Sequence, residues 1–171
     1  MRTVLTLASG AAAAWLVAAP ALAADGPKLL PAAQATIIAG AKACLGTTVD
    51  PASQAARLNG WAPATPEQRQ GMNADGDVVI RDNVMIAYKV DKEGGCVVLA
   101  QADAAFDPTT FYPQLSAVVG ATVQPGDKPT PVALPNGEIV IPIVSPKTAT
   151  AASNIVLVFA NSAGKYAKKG S

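Results

Sequence analysis

Apolar positions along the chain change their spacing partway, and the change divides the chain into two kinds of element. From Pro31 to Leu45 the apolar residues Ile37, Ile38, Ala41, Cys44 and Leu45, with Leu30 just ahead, recur at the spacing of one helix face. This predicts a helix over 31–45, with Gly46 as its C-terminal cap. Asp50-Pro51 opens a second helix, with aspartate as N-cap and proline at the first helical position, and Asn59-Gly60 closes it. Thr65-Pro66-Glu67-Gln68 carries a capping-box pattern for a third, kept short by Gly71.

The period then drops to two. Val78 to Arg81 is a short extended run, and Val84, Ile86, Tyr88 and Val90 alternate with Met85, Ala87 and Lys89. A polar loop, Asp91 to Gly95, leads to a strand from Cys96 to Gln101, so the pair reads as an antiparallel hairpin. Asp107-Pro108 starts another helical stretch. Pro113 is expected to interrupt it, leaving a regular part from Pro113 to Val119 that stops at Gly120. Gln124 to Pro135 is a proline-rich loop with a short strand at Val132 to Leu134, and Asn136-Gly137 is a tight-turn signal. Glu138 to Val144 alternates as a strand in which Pro142 requires an edge position or a bulge. Asn154 to Ala160, with five consecutive apolar residues, predicts a central strand covered on both faces. The order implies an α+β domain with a single antiparallel sheet, helices packed on one face and one disulfide.

The first 23 residues break this pattern. Arg2 is followed by an uncharged apolar stretch from Val4 to Ala19, then Pro20 and an Ala21-Leu22-Ala23 cleavage site. This is the layout of a secretory signal peptide cut after Ala23, with a cut after Ala24 as the alternative. An uncleaved anchor is the competing reading, but the run is slightly short for a span of about 20 residues. The division is then a signal peptide over 1–23 and one domain over 24–171, ending in a short basic tail over 165–171 that carries Lys165, Lys168 and Lys169. The expected location is periplasmic or secreted, with membrane contact only through the signal peptide before cleavage.

Composition narrows the function classes. The full chain is 50% hydrophobic and 15% charged, and it has no histidine. The missing imidazole excludes Ser-His-Asp and Cys-His catalysis and any histidine-ligated metal. After processing, basic and acidic residues balance at 12 each, which argues against a nucleic-acid partner. No cofactor fingerprint is present. Asn73-Ala74-Asp75-Gly76-Asp77 resembles the start of a calcium loop, but its glycine is at the fourth position and Val84 stands where a bidentate glutamate is needed. Ser145-Pro146-Lys147 lacks the spacing of a Ser-Lys dyad, and Asp107 is better used as a helix cap than as a partner for Asp103.

Export places Cys44 and Cys96 in an oxidising compartment, where two cysteines in one chain have one intramolecular pairing. That bond would pin the predicted helix onto the sheet. The candidate contact residues are aromatic. Trp61, the only tryptophan after processing, reads as a core or lid residue or as a stacking surface, and Phe106, Phe111 and Tyr112 flank the Asp107-Pro108 turn as packing residues or as part of a binding surface.

Helix-borne Cys44, Leu58-Asn59-Gly60-Trp61 and Gly94-Gly95-Cys96-Val97-Val98 together resemble small exported proteins of proteobacteria, often alphaproteobacteria, which have no assigned activity. The resemblance covers Pro31 to Ala100 and implies a periplasmic, disulfide-bonded domain without carrying over any active-site residue. The leading functional expectation is a non-catalytic binding or protein-interaction domain in the cell envelope. Its partner, such as an envelope protein, would meet the Pro142 strand or the aromatic cluster. A small-ligand sensor, with a pocket between the sheet and the Pro113 helix, and a histidine-independent hydrolase are the alternatives.

Overall fold

The computed structural model describes residues 27–72, 74, 76–90, 94–146, 148 and 152–163. The proposed signal peptide, the basic tail, Asn73, Asp75 and Lys147 lie outside the described residues. The elements are β1 (Pro31–Ala32), α1 (Gln34–Cys44), a 3-10 turn (Pro51–Ser53), α2 (Gln54–Arg57), β2 (Ala62–Pro63), α3 (Pro66–Arg69), β3 (Asp77–Arg81), β4 (Val84–Lys89), β5 (Gly95–Ala102), α4 (Pro108–Val119), β6 (Val132–Ala133), β7 (Glu138–Val144) and β8 (Asn154–Asn161). The strands form one eight-stranded sheet in the order β2-β3-β4-β5-β8-β7-β6, antiparallel throughout that path. β1 pairs with β5 in parallel, Pro31 opposite Gln101. The fold is the expected α+β, with one disulfide.

The inward face of the sheet carries the core. Ile86, Val98 and Leu157 stand in one cross-strand row, and Cys96, Phe159 and Val140 in the next. All six are fully buried. Helix α1 packs on β4 and β5, and α4 packs on α1. Gly40 lets α1 sit close: a β-carbon there would lie 3.0 Å from Val98 Cγ1 and 3.3 Å from Val84 Cγ1. The Cys44–Cys96 bond joins the last residue of α1 to β5, with the two Cα atoms 5.3 Å apart. Gln34 ties the helices together, donating to Thr110 Oγ1 at 3.0 Å while accepting the Asp107 N–H at 3.2 Å.

Local signals hold at several ends. The Thr65 capping box forms in both directions, with Thr65 N–H donating to Gln68 Oε1 at 2.8 Å and Gln68 N–H to Thr65 Oγ1 at 3.3 Å. Asp107 accepts the Thr109 N–H at 2.9 Å as the N-cap of α4, and Gly120 takes a left-handed conformation at the other end. Asp50, by contrast, makes no capping bond to the turn it precedes. Its carboxylate pairs with Arg57 at 3.3 Å instead.

Three further expectations are corrected. Helix α1 begins at Gln34, because Pro31 and Ala32 are drawn into the sheet, where Asn83 Nδ2 donates to the Pro31 carbonyl at 2.8 Å. Leu30 is left 53% exposed ahead of that strand. Pro113 does not interrupt α4, which runs unbroken through it. The proline sits in the second turn, where its missing N–H costs one intrahelical bond, the one that would reach the Thr109 carbonyl. Strand β8 is central but not covered alike on both faces: Ile155, Leu157 and Phe159 are fully buried, while Val156 and Val158 remain partly exposed. Its outward residues join two cross-strand rows, Ile80–Met85–Leu99–Val156–Ile143 and Val78–Ala87–Val97–Val158–Ile141, that contain no polar side chain.

Candidate functional site

Strand β7 forms one wall of a groove because its outer neighbour ends early. β6 pairs only with Ile139 and Val140. Continued backward in the same register, it would set Thr130 opposite Pro142 and Lys128 opposite Val144. Pro142 has no N–H to give such a continuation, whereas the ring nitrogens of Pro129 and Pro131 would face away from β7. The chain peels away and leaves a wedge of about 380 Å³ between Lys128–Thr130 and Pro142–Val144. A second hollow of about 470 Å³ lies on the α4 side, against Pro108, Pro113 and Ser116. Tyr112, Thr122, Gln124 and Pro125 border both, so the two meet at Tyr112.

Backbone geometry explains why Pro142 is tolerated there. Leu134 N–H donates to the Glu138 carbonyl on the β6 side, and Ser145 N–H donates to the Asn154 carbonyl on the β8 side. Alternation along the strand then aims the backbone groups of Val140, Pro142 and Val144 away from β8. The missing N–H of Pro142 falls on the open side, so no ladder bond is lost, which places this proline at an edge as its sequence context required. The Pro142 carbonyl and both backbone groups of Val144 face the wedge.

Tyr112 is held by its neighbours. Phe111, one residue earlier on α4, is fully buried, with its ring centroid 5.2 Å from Phe106 and 5.5 Å from Tyr112. This cluster fixes the face that Tyr112 presents. Burial pushes the Tyr112 phenol above its ordinary value, so it is a neutral hydroxyl at neutral pH. Ser116 reinforces the floor by donating to the Tyr112 carbonyl at 2.8 Å and accepting the Val123 N–H at 2.9 Å. The groove thus offers rigid proline walls, one phenol and a few hydroxyl, amide and backbone groups.

The four aromatic candidates separate. Tyr112 lines the groove, Phe106 is half-buried beside Phe111, and Phe111 belongs to the core. Trp61 packs on the core at α1, with its ring edge over Gly40, and does not line either hollow. Asp103 accepts the Ala105 N–H at 2.9 Å while Asp107 caps α4, so both carboxylates serve local turns. Among the described residues no group of three or more histidine, cysteine, aspartate or glutamate side chains is placed to hold a metal, and no helix is long and apolar enough to cross a membrane.

The residue that sequence reading passed over is Glu138. It is fully buried. Its carboxylate accepts from Gly46 N–H at 2.6 Å, Thr48 N–H at 3.0 Å, Thr48 Oγ1 at 2.9 Å and Asn136 Nδ2 at 2.9 Å. The only available signal was the Asn136-Gly137 turn beside it, which says nothing of a partner 90 residues away. No protein-family model, curated protein or solved structure matches the chain.

Proposed function

We propose that this is an exported cell-envelope protein that works by binding, and that it takes a short extended segment of a partner protein in the Tyr112 groove. The carrying observation is the wedge where β6 leaves β7. It is open to an extended chain along one side, and its wall offers the Pro142 carbonyl and the Val144 N–H and carbonyl. Extended peptides bind such edges through main-chain hydrogen bonds, with alternate side chains entering flanking hollows. Here the hollow beyond Tyr112 would receive one of them. Export is supported by the Ala21-Leu22-Ala23 site and by a disulfide, which persists in oxidising compartments.

Selection from a displayed peptide library on the processed protein tests the binding reading. Enriched peptides should lose their binding to Tyr112→Ala at a temperature where dichroism shows that variant to be folded. Failure to enrich any sequence, or enrichment indifferent to Tyr112, overturns it. The export reading is tested separately, because the mature protein should lack its first 23 residues by mass.

A second reading is supported by size alone: both hollows fall in the range of about 300–1,000 Å³ that small ligands occupy. In that case the domain is a small-ligand sensor. Native mass spectrometry of the protein purified from periplasm would then retain a low-molecular-weight adduct that Tyr112→Ala loses.

A further inference from the structure

We propose that the hollow on the α4 side is the specificity pocket of the groove, that it takes one large apolar side chain of the bound segment, an aromatic ring above all, and that Pro113 sets this choice. The proposal rests on the peptide-binding reading above. Its starting point is that Pro113 does nothing for its own helix. The residue is exposed, so it adds little to the core, and it forgoes an intrahelical hydrogen bond. Pro108 differs, because it occupies the first helical position, where proline is favoured. What Pro113 does is line the hollow of about 470 Å³, together with Pro108 and Pro125, which are also exposed.

The chemistry of the walls selects the occupant. No described residue lining the hollow is charged. Thr109 Oγ1 already donates its proton to the Asp107 carboxylate at 2.7 Å, and Ser116 Oγ donates to the Tyr112 carbonyl while accepting the Val123 N–H. The remaining polar side chains, Tyr112, Thr122 and Gln124, stand at the junction with the wedge, since they border both hollows. A charged side chain entering beyond them would leave water and meet no opposite charge, and a carboxylate would find no uncommitted hydroxyl proton. An apolar side chain loses nothing there. Proline rings have no rotamer freedom to lose when covered, so burial against three of them is not offset by ordering of the wall. An aromatic ring uses this surface best, because it buries a large apolar area on a stiff side chain. Same-face side chains of an extended chain repeat about 7 Å apart, so one residue supplies the anchor. Its neighbours lie in the wedge, whose lining adds Asp127 and Lys128 and suits polar side chains.

A random peptide library sorted in parallel on the wild-type protein and on Pro113→Glu tests this. Wild-type selections should converge on one aromatic or large aliphatic position. Replacing that residue by alanine in a synthetic peptide should raise Kd about 10-fold or more, as truncation of a buried interface anchor does. Pro113→Glu restores the helix N–H and adds a carboxylate to the wall. It should keep its helical dichroism and move the preference at the anchor position from aromatic to lysine or arginine. Pro113→Ala removes the ring without adding a charge, and should weaken the aromatic peptides without creating a basic preference. Peptides that bind through Tyr112 yet accept lysine or aspartate at every position overturn the anchor and leave the groove a peptide site. The same consensus on wild type and folded Pro113→Glu, or unchanged affinity in Pro113→Ala, does so too. Failure to enrich any peptide overturns the anchor and the peptide site together.

Discussion

Thr48 and Glu138 meet through two hydrogen bonds, one from the Thr48 N–H at 3.0 Å and one from its hydroxyl at 2.9 Å, inside a fully buried patch. The carboxylate also takes the Gly46 N–H and the Asn136 amide. One side chain on β7 thereby satisfies donors of the turn that follows α1 and of the hairpin that precedes β7. A buried donor left without a partner costs about 1–3 kcal/mol, and bonds to charged groups are stronger than neutral ones. Glu138→Ala should destabilise the fold by about 3 kcal/mol or more. Asn136→Ala, which removes one partly buried donor, should cost about 1 kcal/mol. Urea unfolding of both variants measures the difference, and equal midpoints would remove Glu138 from this role.

The disulfide constrains the same region from the other side. It closes a loop with a sequence separation of 52, whose chain entropy corresponds to about 4 kcal/mol. Thiol labelling of the native protein should find no free cysteine. Reduction, or the paired change Cys44→Ser with Cys96→Ser, should lower Tm by roughly 8–16 °C for a domain of this size. A melting temperature unmoved by reduction would mean that packing alone holds α1 to β5.

Alkaline pH offers a test of how Tyr112 is seated. Burial raises its phenol above the ordinary value, and burial followed by the nearby Asp77 carboxylate raises that of Tyr88. Both shifts favour the neutral form in the folded state. Their stabilising contribution is present below pH about 10, the ordinary value, and is lost as pH rises through the folded-state values. Phenolate absorbance should show two tyrosines ionising later than free tyrosine, and Tm should fall across that interval. Tyr112→Phe should flatten the fall without abolishing it, because Tyr88 remains. Identical profiles for wild type and Tyr112→Phe would place the phenol in bulk solvent.

Local signals were legible in the sequence and distant ones were not. The capping box at Thr65, the cap at Asp107 and the stop at Gly120 act within a few residues, and each forms as its pattern dictates. The Cys44–Cys96 pairing was legible because two cysteines allow one intramolecular bond. The β3–β4 turn was only half legible. Asp82 and Asn83 both take positive φ, 43° and 68°, a two-residue turn that these residue types tolerate but signal less clearly than a glycine pair does. Glu138 and Gln34 could not be read, because their partners come from segments brought together only by the sheet and the helix pair. The groove was legible in part. Pro142 announced an edge, but that the neighbouring chain leaves β7 after two paired residues is a consequence of register rather than of composition.

Gly40 sets propensity against packing. At an exposed site in the middle of a helix, replacing glycine by alanine gains about 1 kcal/mol. Here the new methyl group would lie 3.0 Å from Val98 Cγ1, 3.3 Å from Val84 Cγ1 and 3.5 Å from Trp61 Cη2. Val98 and Val84 are fully buried and β-branched, with little rotamer freedom to move aside. Overpacking of this kind costs about 1–3 kcal/mol, which exceeds or cancels the propensity gain. Gly40→Ala should therefore fail to stabilise the protein and should lower its stability by up to about 2 kcal/mol. Trp61 reports the cause as well as the effect. Trp15 precedes the proposed cleavage site, so in a chain cut there the emission of Trp61 alone should shift as its ring is pushed from α1. A gain in stability with unchanged emission would show that α1 does not approach the sheet as closely as Gly40 permits.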